Sequence, residues 1–242
     1  MSPADVKHPD LTIAFLIAVS IFGLVLSTLF VLFPFTPEDD FPFRNLIVGS
    51  AYSGVCILGM FAALFPSWGS TMLKFRRSEE PKKRRIAIHE TTFRAHHPSC
   101  ENYSTHILNI GKMKFCATCS GLIVGAAFVL VGTGLYFFGG LLVGEPLILV
   151  WLGGAGVALG FTQSGVPNRS NGSTRFVASI LFVVGTFLML VSVNEAVKNI
   201  SVDLFFVALS VLWILTKIGL SQRDHQQTCL QCSKEICRNK KK

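Results

Sequence analysis

Charge is what this sequence is short of. Only 15% of its 242 residues are Asp, Glu, Lys or Arg, against about 25% in an ordinary soluble domain. Apolar residues make up 50% of the chain, and the mean hydropathy is +0.52. That balance argues against a water-soluble domain and excludes intrinsic disorder. What remains is a polytopic membrane protein. The long apolar runs hold no histidine, which excludes a haem held by two histidines between transmembrane helices. They also hold no ionisable residue near their centres, which argues against a proton-coupled transporter or a membrane electron carrier. A nucleotide-binding glycine loop, a Ser–His–Asp order and a metalloprotease helix are all missing.

Six runs approach the ~20 apolar residues that a transmembrane helix needs: Leu11–Phe33, Leu46–Phe65, Ser120–Phe138, Pro146–Gln163, Phe176–Val193 and Leu204–Leu220. The first is too long for a signal-peptide core and has no small-residue cleavage site after it. Pro146 stands where a helix start tolerates a missing N–H. The expected fold is all-α, six transmembrane helices with a Cys/His-rich cytoplasmic loop and tail. Residues 1–66 form a two-span hairpin, 67–119 a basic loop, 120–220 a four-span bundle and 221–242 a basic, cysteine-rich tail.

Six spans put both termini on one side. The segments sharing that side carry 20 of the 22 Lys and Arg, leaving only Arg44 and Lys198 for the other. Positive charge collects in cytoplasmic loops, so the expectation is a multi-pass protein of the cell membrane with both termini cytoplasmic. The opposite loops lean acidic, through Glu38, Asp39, Asp40, Glu145, Glu195 and Asp203. The net charge of +8 would suggest nucleic acid in a soluble protein. Here the topology accounts for it, and no nucleic-acid partner is expected. Lys82-Lys83-Arg84-Arg85 reads as an anchor near anionic headgroups, and Lys217 as a side chain snorkelling to the interface. Gly121/Gly125 and Gly156/Gly160 have the small-x-x-x-small spacing that permits close helix contact. Packing of spans three and four within the bundle explains them better than a homo-oligomer interface. Asn199-Ile200-Ser201 is a glycosylation sequon on the acidic side.

Cysteine carries most of the chemical information. Cys56 falls inside span two and reads as packing. Cys100, Cys116, Cys119, Cys229, Cys232 and Cys237 all fall on the cytoplasmic side, where thiols stay reduced and short spacings point to metal. His96-His97-x-x-Cys100 followed by Cys116-x-x-Cys119 offers two short-gap pairs that can close a tetrahedral zinc site. The expected ligands are His97, Cys100, Cys116 and Cys119, with His106 a substitute for His97. His225, Cys229, Cys232 and Cys237 form a possible second metal site. Alternatively Cys229/Cys232 join Cys116/Cys119 in one shared site, or the tail binds nothing. An iron–sulfur cluster is the rival occupant; the histidines favour zinc.

The run Cys100-Glu101-x-x-Ser104, then Phe115-Cys116-Ala117-Thr118-Cys119-Ser120-Gly121, then a glycine-rich span, resembles the core motif of the domain of unknown function 2085 family. That family comprises small polytopic prokaryotic membrane proteins. Thr162-Gln163, Pro167-Asn168-Arg169-Ser170-Asn171 and Arg175 agree with a second piece of its pattern. The match covers roughly residues 100–185. Glu101 stands where the family has His, and Thr118 where it has Arg. The resemblance implies a membrane fold but no activity.

Two classes of function follow. One is a non-catalytic membrane module whose zinc-stapled cytoplasmic face serves structure, assembly or partner docking. The other is an interfacial metal-dependent enzyme acting on a lipid or lipid-linked phosphate, with Arg169, Ser170, Asn171 and Arg175 binding the anionic headgroup. An accessory subunit of a larger membrane complex is a third. The first ranks ahead. The lipid bilayer is the one partner that every reading requires.

Overall fold

The computed structural model describes residues 8–34, 41–64, 107–110, 113–165 and 171–230. The helices are α1 (His8–Leu32), α2 (Arg44–Leu64), α3 (Ala117–Thr133), α4 (Pro146–Gly165), α5 (Gly172–Val197) and α6 (Ile200–Leu230). All six are long and apolar enough to cross a membrane. Such a chain must satisfy its backbone within each spanning segment, which helices do. Proline and glycine punctuate it. Leu32 is the last residue of α1, two before Pro34; Pro146 opens α4; Gly165 ends α4 two before Pro167. Between α5 and α6, Lys198 takes a left-handed conformation at φ 50°. Asn199 Oδ1 then accepts the N–H groups of Ser201 at 2.9 Å and Val202 at 3.3 Å. The sequon asparagine is therefore a helix N-cap.

Among the described residues the fold departs from all-α in one place. Ile107–Ile110 (β1) and Met113–Cys116 (β2) pair antiparallel, Ile107 opposite Cys116 and Ile110 opposite Met113. Two residues, Gly111 and Lys112, separate the strands, a length and composition that hairpins use. The strands run directly into α3, so Cys116 is both the end of β2 and the N-cap of α3. Helix α3 begins three residues earlier than the apolar run suggests. Its far end widens into a π-helical turn, Gly134–Phe138, that carries Tyr136 and Phe137 into the core.

Helix α5 is the axis of the bundle. Both glycine pairs face it, rather than each other. A Cβ on Gly121 would strike Ser179 and the Phe176 backbone; one on Gly125 would meet Ile180 and Val183. From the other side, a Cβ on Gly156 would come within 2.5 Å of the Leu181 carbonyl oxygen, and one on Gly160 within 2.6 Å of Phe182. Small residues thus let α3 and α4 approach α5 at backbone distance. Helix α1 lies against α6, where Ser20 Oγ and Thr216 Oγ1 are 3.0 Å apart and Trp213 Nε1 donates to the Ser20 carbonyl. Near mid-span, Tyr52 on α2 meets Thr186 on α5 through hydroxyls 2.9 Å apart. Cys56 is buried in the same apolar core, as expected for packing.

Neighbouring helices alternate in direction. One end of the bundle gathers the starts of α1, α3 and α5 and the ends of α2, α4 and α6. It is called the basic end here, after the sequence segments that leave it. The other is the acidic end.

Candidate functional site

Each end of the bundle buries a charged cluster that hydropathy alone does not reveal. At the acidic end, Asp203 is fully buried. Its Oδ2 accepts Arg44 Nε at 2.7 Å and Asn194 Nδ2 at 2.9 Å, while Arg44 Nη2 donates to the Asn194 carbonyl at 2.5 Å. Tyr136 on the π-helical turn places its hydroxyl 2.8 Å from both Asn194 Oδ1 and Glu195 Oε1. One proton serves two acceptors there, one at a time. Residues from α2, the π-helical turn, α5 and α6 are thereby tied together.

At the basic end, Arg175 Nη1 donates to Asp224 Oδ2 at 2.6 Å, with both side chains at most 5% exposed. Lys217 does not snorkel outward. It is 2% exposed, donates to the Gly160 carbonyl at 3.0 Å, and sits 4.7 Å from the centroid of the Phe182 ring. The reason is partnership: the Gly160 carbonyl and an aromatic face replace water around the ammonium. A seven-residue period on α6 explains the geometry. Asp203, Ser210, Lys217 and Asp224 recur every seventh residue, with Phe206, Trp213 and Leu220 three residues after the first three, and all are buried. That is the spacing of a single helix seam facing a neighbour. The sequence holds this signal, and only a search for polar rather than apolar periodicity would have found it.

Helix limits shift for the same reason. Span five runs from Gly172 to Val197 and span six begins at Ile200. Arg175, Asn194 and Asp203 are thus inside helices, their charges and amides paired across elements.

Two cysteines sit at the hairpin–helix junction, one at the end of β2 and the other in the first turn of α3. Cys116 and Cys119 are both reduced and partly buried, and they are close enough to interact electrostatically. Ser120 Oγ donates to the Cys116 carbonyl at 2.9 Å and holds the turn. The hairpin is seated on the bundle: a Cβ on Gly172, in the first turn of α5, would strike the Ile107 carbonyl. His97 and Cys100, with His96 and His106, lie outside the described residues. So do Cys232 and Cys237. His225 and Cys229 fall on the last turns of α6, one helical turn apart by backbone. Among the described residues, no three His, Cys, Asp or Glu side chains gather as a metal would require.

Two of the four expected headgroup residues can be placed. Arg169 and Ser170 lie outside the described residues. Asn171 is exposed at the N-cap of α5, but Arg175 is buried against Asp224. Two donors of that guanidinium, Nε and Nη2, have no hydrogen-bond partner among the described residues, and neither has the buried Nε2 of Gln163. Comparison with known proteins places no constraint on these sites: no family model, no curated protein and no solved structure matches the chain.

Proposed function

We propose that this chain is a membrane module whose basic end faces the cytoplasm and holds a zinc ion, serving structure, assembly or docking of a membrane-protein partner. One observation carries the reading. Cys116 and Cys119, on a strand end and the first turn of the next helix, place two thiols close enough to interact electrostatically. Two converging thiolates are half of a tetrahedral zinc site. His97 and Cys100 are the residues that would complete it, and the spacing resembles that of the domain of unknown function 2085 family. The tail ligands His225, Cys229, Cys232 and Cys237 would hold a second ion or share the first.

A zinc closed by four protein ligands would lock the segment before β1 to the start of α3 and contribute to folding directly. That suits a structural face better than a catalytic one, since a catalytic zinc keeps an open position. Elemental analysis of detergent-purified protein tests the reading. Wild type is expected to carry zinc, and Cys116→Ser to lose it together with thermal stability. Cys56→Ser, in the core, is expected to keep it. Full metal in Cys116→Ser, or none in wild type, would overturn the proposal and move thiol redox chemistry ahead.

A further inference from the structure

We propose that the junction of α4, α5 and α6 at the basic end is a binding site for a phosphodiester-type anion, centred on Arg175 with Gln163 and Lys217. This does not rest on the zinc reading.

Arg175 occupies the first turn of a 26-residue helix, where the helix dipole disfavours a cation. It is 4% exposed, and its one hydrogen bond leaves Nε and Nη2 without a partner among the described residues. A buried donor with no acceptor bears its full desolvation penalty. Gln163 Nε2 is in the same condition. The two residues face the same level of the bundle. Gly156 packs on Leu181 and Gly160 on Phe182, and following that antiparallel register places Gln163 opposite the turn from Arg175 to Ala178. Lys217 bonds to Gly160, one turn before Gln163 on α4, and lies within electrostatic reach of Arg175. Two buried basic side chains therefore stand near each other, one of them bonded to Asp224, beside three donor atoms without a hydrogen-bond partner among the described residues.

A single bound anion relieves the cost of the three unpartnered donors. It supplies acceptors for the guanidinium edge and the amide and suits the N-terminus of α5. A phosphodiester fits best, because it carries one negative charge and several acceptor oxygens at angles that a guanidinium fork and an amide can meet together. Phospholipid headgroups carry this group, and the basic end is where a headgroup layer would meet the bundle. A soluble phosphate ester has the same chemistry.

Thermal unfolding of the full-length protein in neutral detergent tests the proposal, with phosphatidylglycerol and inorganic phosphate as separate probes. Either probe is expected to raise the midpoint of wild type. A response to phosphatidylglycerol alone assigns the site to lipid, and a response to inorganic phosphate assigns it to the phosphate group itself. Gln163→Met keeps the side-chain length and is expected to weaken the response at least tenfold in probe concentration. The pair exchange Arg175→Met with Asp224→Leu removes the central donors without stranding a carboxylate, and is expected to abolish it. Should neither probe act on wild type, or should Gln163→Met respond as wild type does, the anion site is wrong; the Gln163→Met arm decides even if the double variant does not fold.

Discussion

At the scale of single residues, the buried ions show why removing one partner differs from removing both. Arg175 and Asp224 are each at most 5% exposed and 2.6 Å apart. Arg175→Met alone leaves the Asp224 carboxylate inside the bundle, and breaking such a pair typically costs about 3–5 kcal/mol. Exchanging both for apolar residues of similar size is often neutral or better. Unfolding curves in detergent, without added lipid or phosphate, are therefore expected to show a large loss for Arg175→Met and recovery of most of it in Arg175→Met/Asp224→Leu. Equal loss in both variants would mean that the pair specifies packing rather than merely neutralising itself. Lys217→Met is expected to have a small effect of either sign, because it deletes a cation and strands only the Gly160 carbonyl, which has a further interaction. These residues also mark where reading the chain stops working. The partners of Arg44 and Arg175 are 159 and 49 positions away. Local hydropathy sees a charge and ends the span; the fold sees a pair and continues the helix.

At the scale of elements, the spans were legible and their contacts were not. Each apolar run declared a helix because a bilayer leaves little choice of spanning structure. Which helix each glycine faces depended on α5 lying between α3 and α4, and no spacing within α3 or α4 encodes that. The β1–β2 hairpin was missed for another reason: four-residue strands inside a polar loop give too short a pattern to set against the surrounding charge. The glycine seam makes a graded prediction. A Cβ on Gly156 would stand 2.5 Å from the Leu181 carbonyl oxygen, while one on Gly154 would meet nothing within 4 Å. Gly156→Ala must push α4 off α5, an overpacking cost of about 1–3 kcal/mol. Gly154→Ala only restricts the unfolded chain and is expected to be neutral or stabilising by up to ~1 kcal/mol. The same unfolding measurement on both variants checks the seam, and equal effects would refute it.

For the molecule as a whole, the difference between the two ends bears on which way the bundle faces. The two ends differ in kind. The basic end holds the cysteine junction, the Arg175–Asp224 pair and Lys217; the acidic end is closed by Arg44, Asp203, Asn194 and Tyr136. Of 22 Lys and Arg, only Arg44 and Lys198 belong to acidic-end segments. Arg44 is consumed by Asp203, so even that small contribution is not free loop charge. Retention of Lys and Arg on the cytoplasmic side is the basis for proposing that the basic end faces inward. A thiol-labelling experiment in intact cells tests this, and the structure chooses the reporter. Asp203 is unsuitable although it lies at the acidic end, because it is fully buried and ion-paired, so a cysteine there would report disruption. Glu145 is exposed just before α4, so a cysteine there leaves the core intact. With the labelled residue identified by mass spectrometry, Glu145→Cys is expected to react with a membrane-impermeant maleimide added outside. Ser173→Cys, exposed in the first turn of α5 at the opposite end, is expected to react only after the cells are opened. The reverse pattern would invert the protein and move the cysteine junction into an oxidising compartment, where a disulfide would displace zinc as the expected use of Cys116 and Cys119.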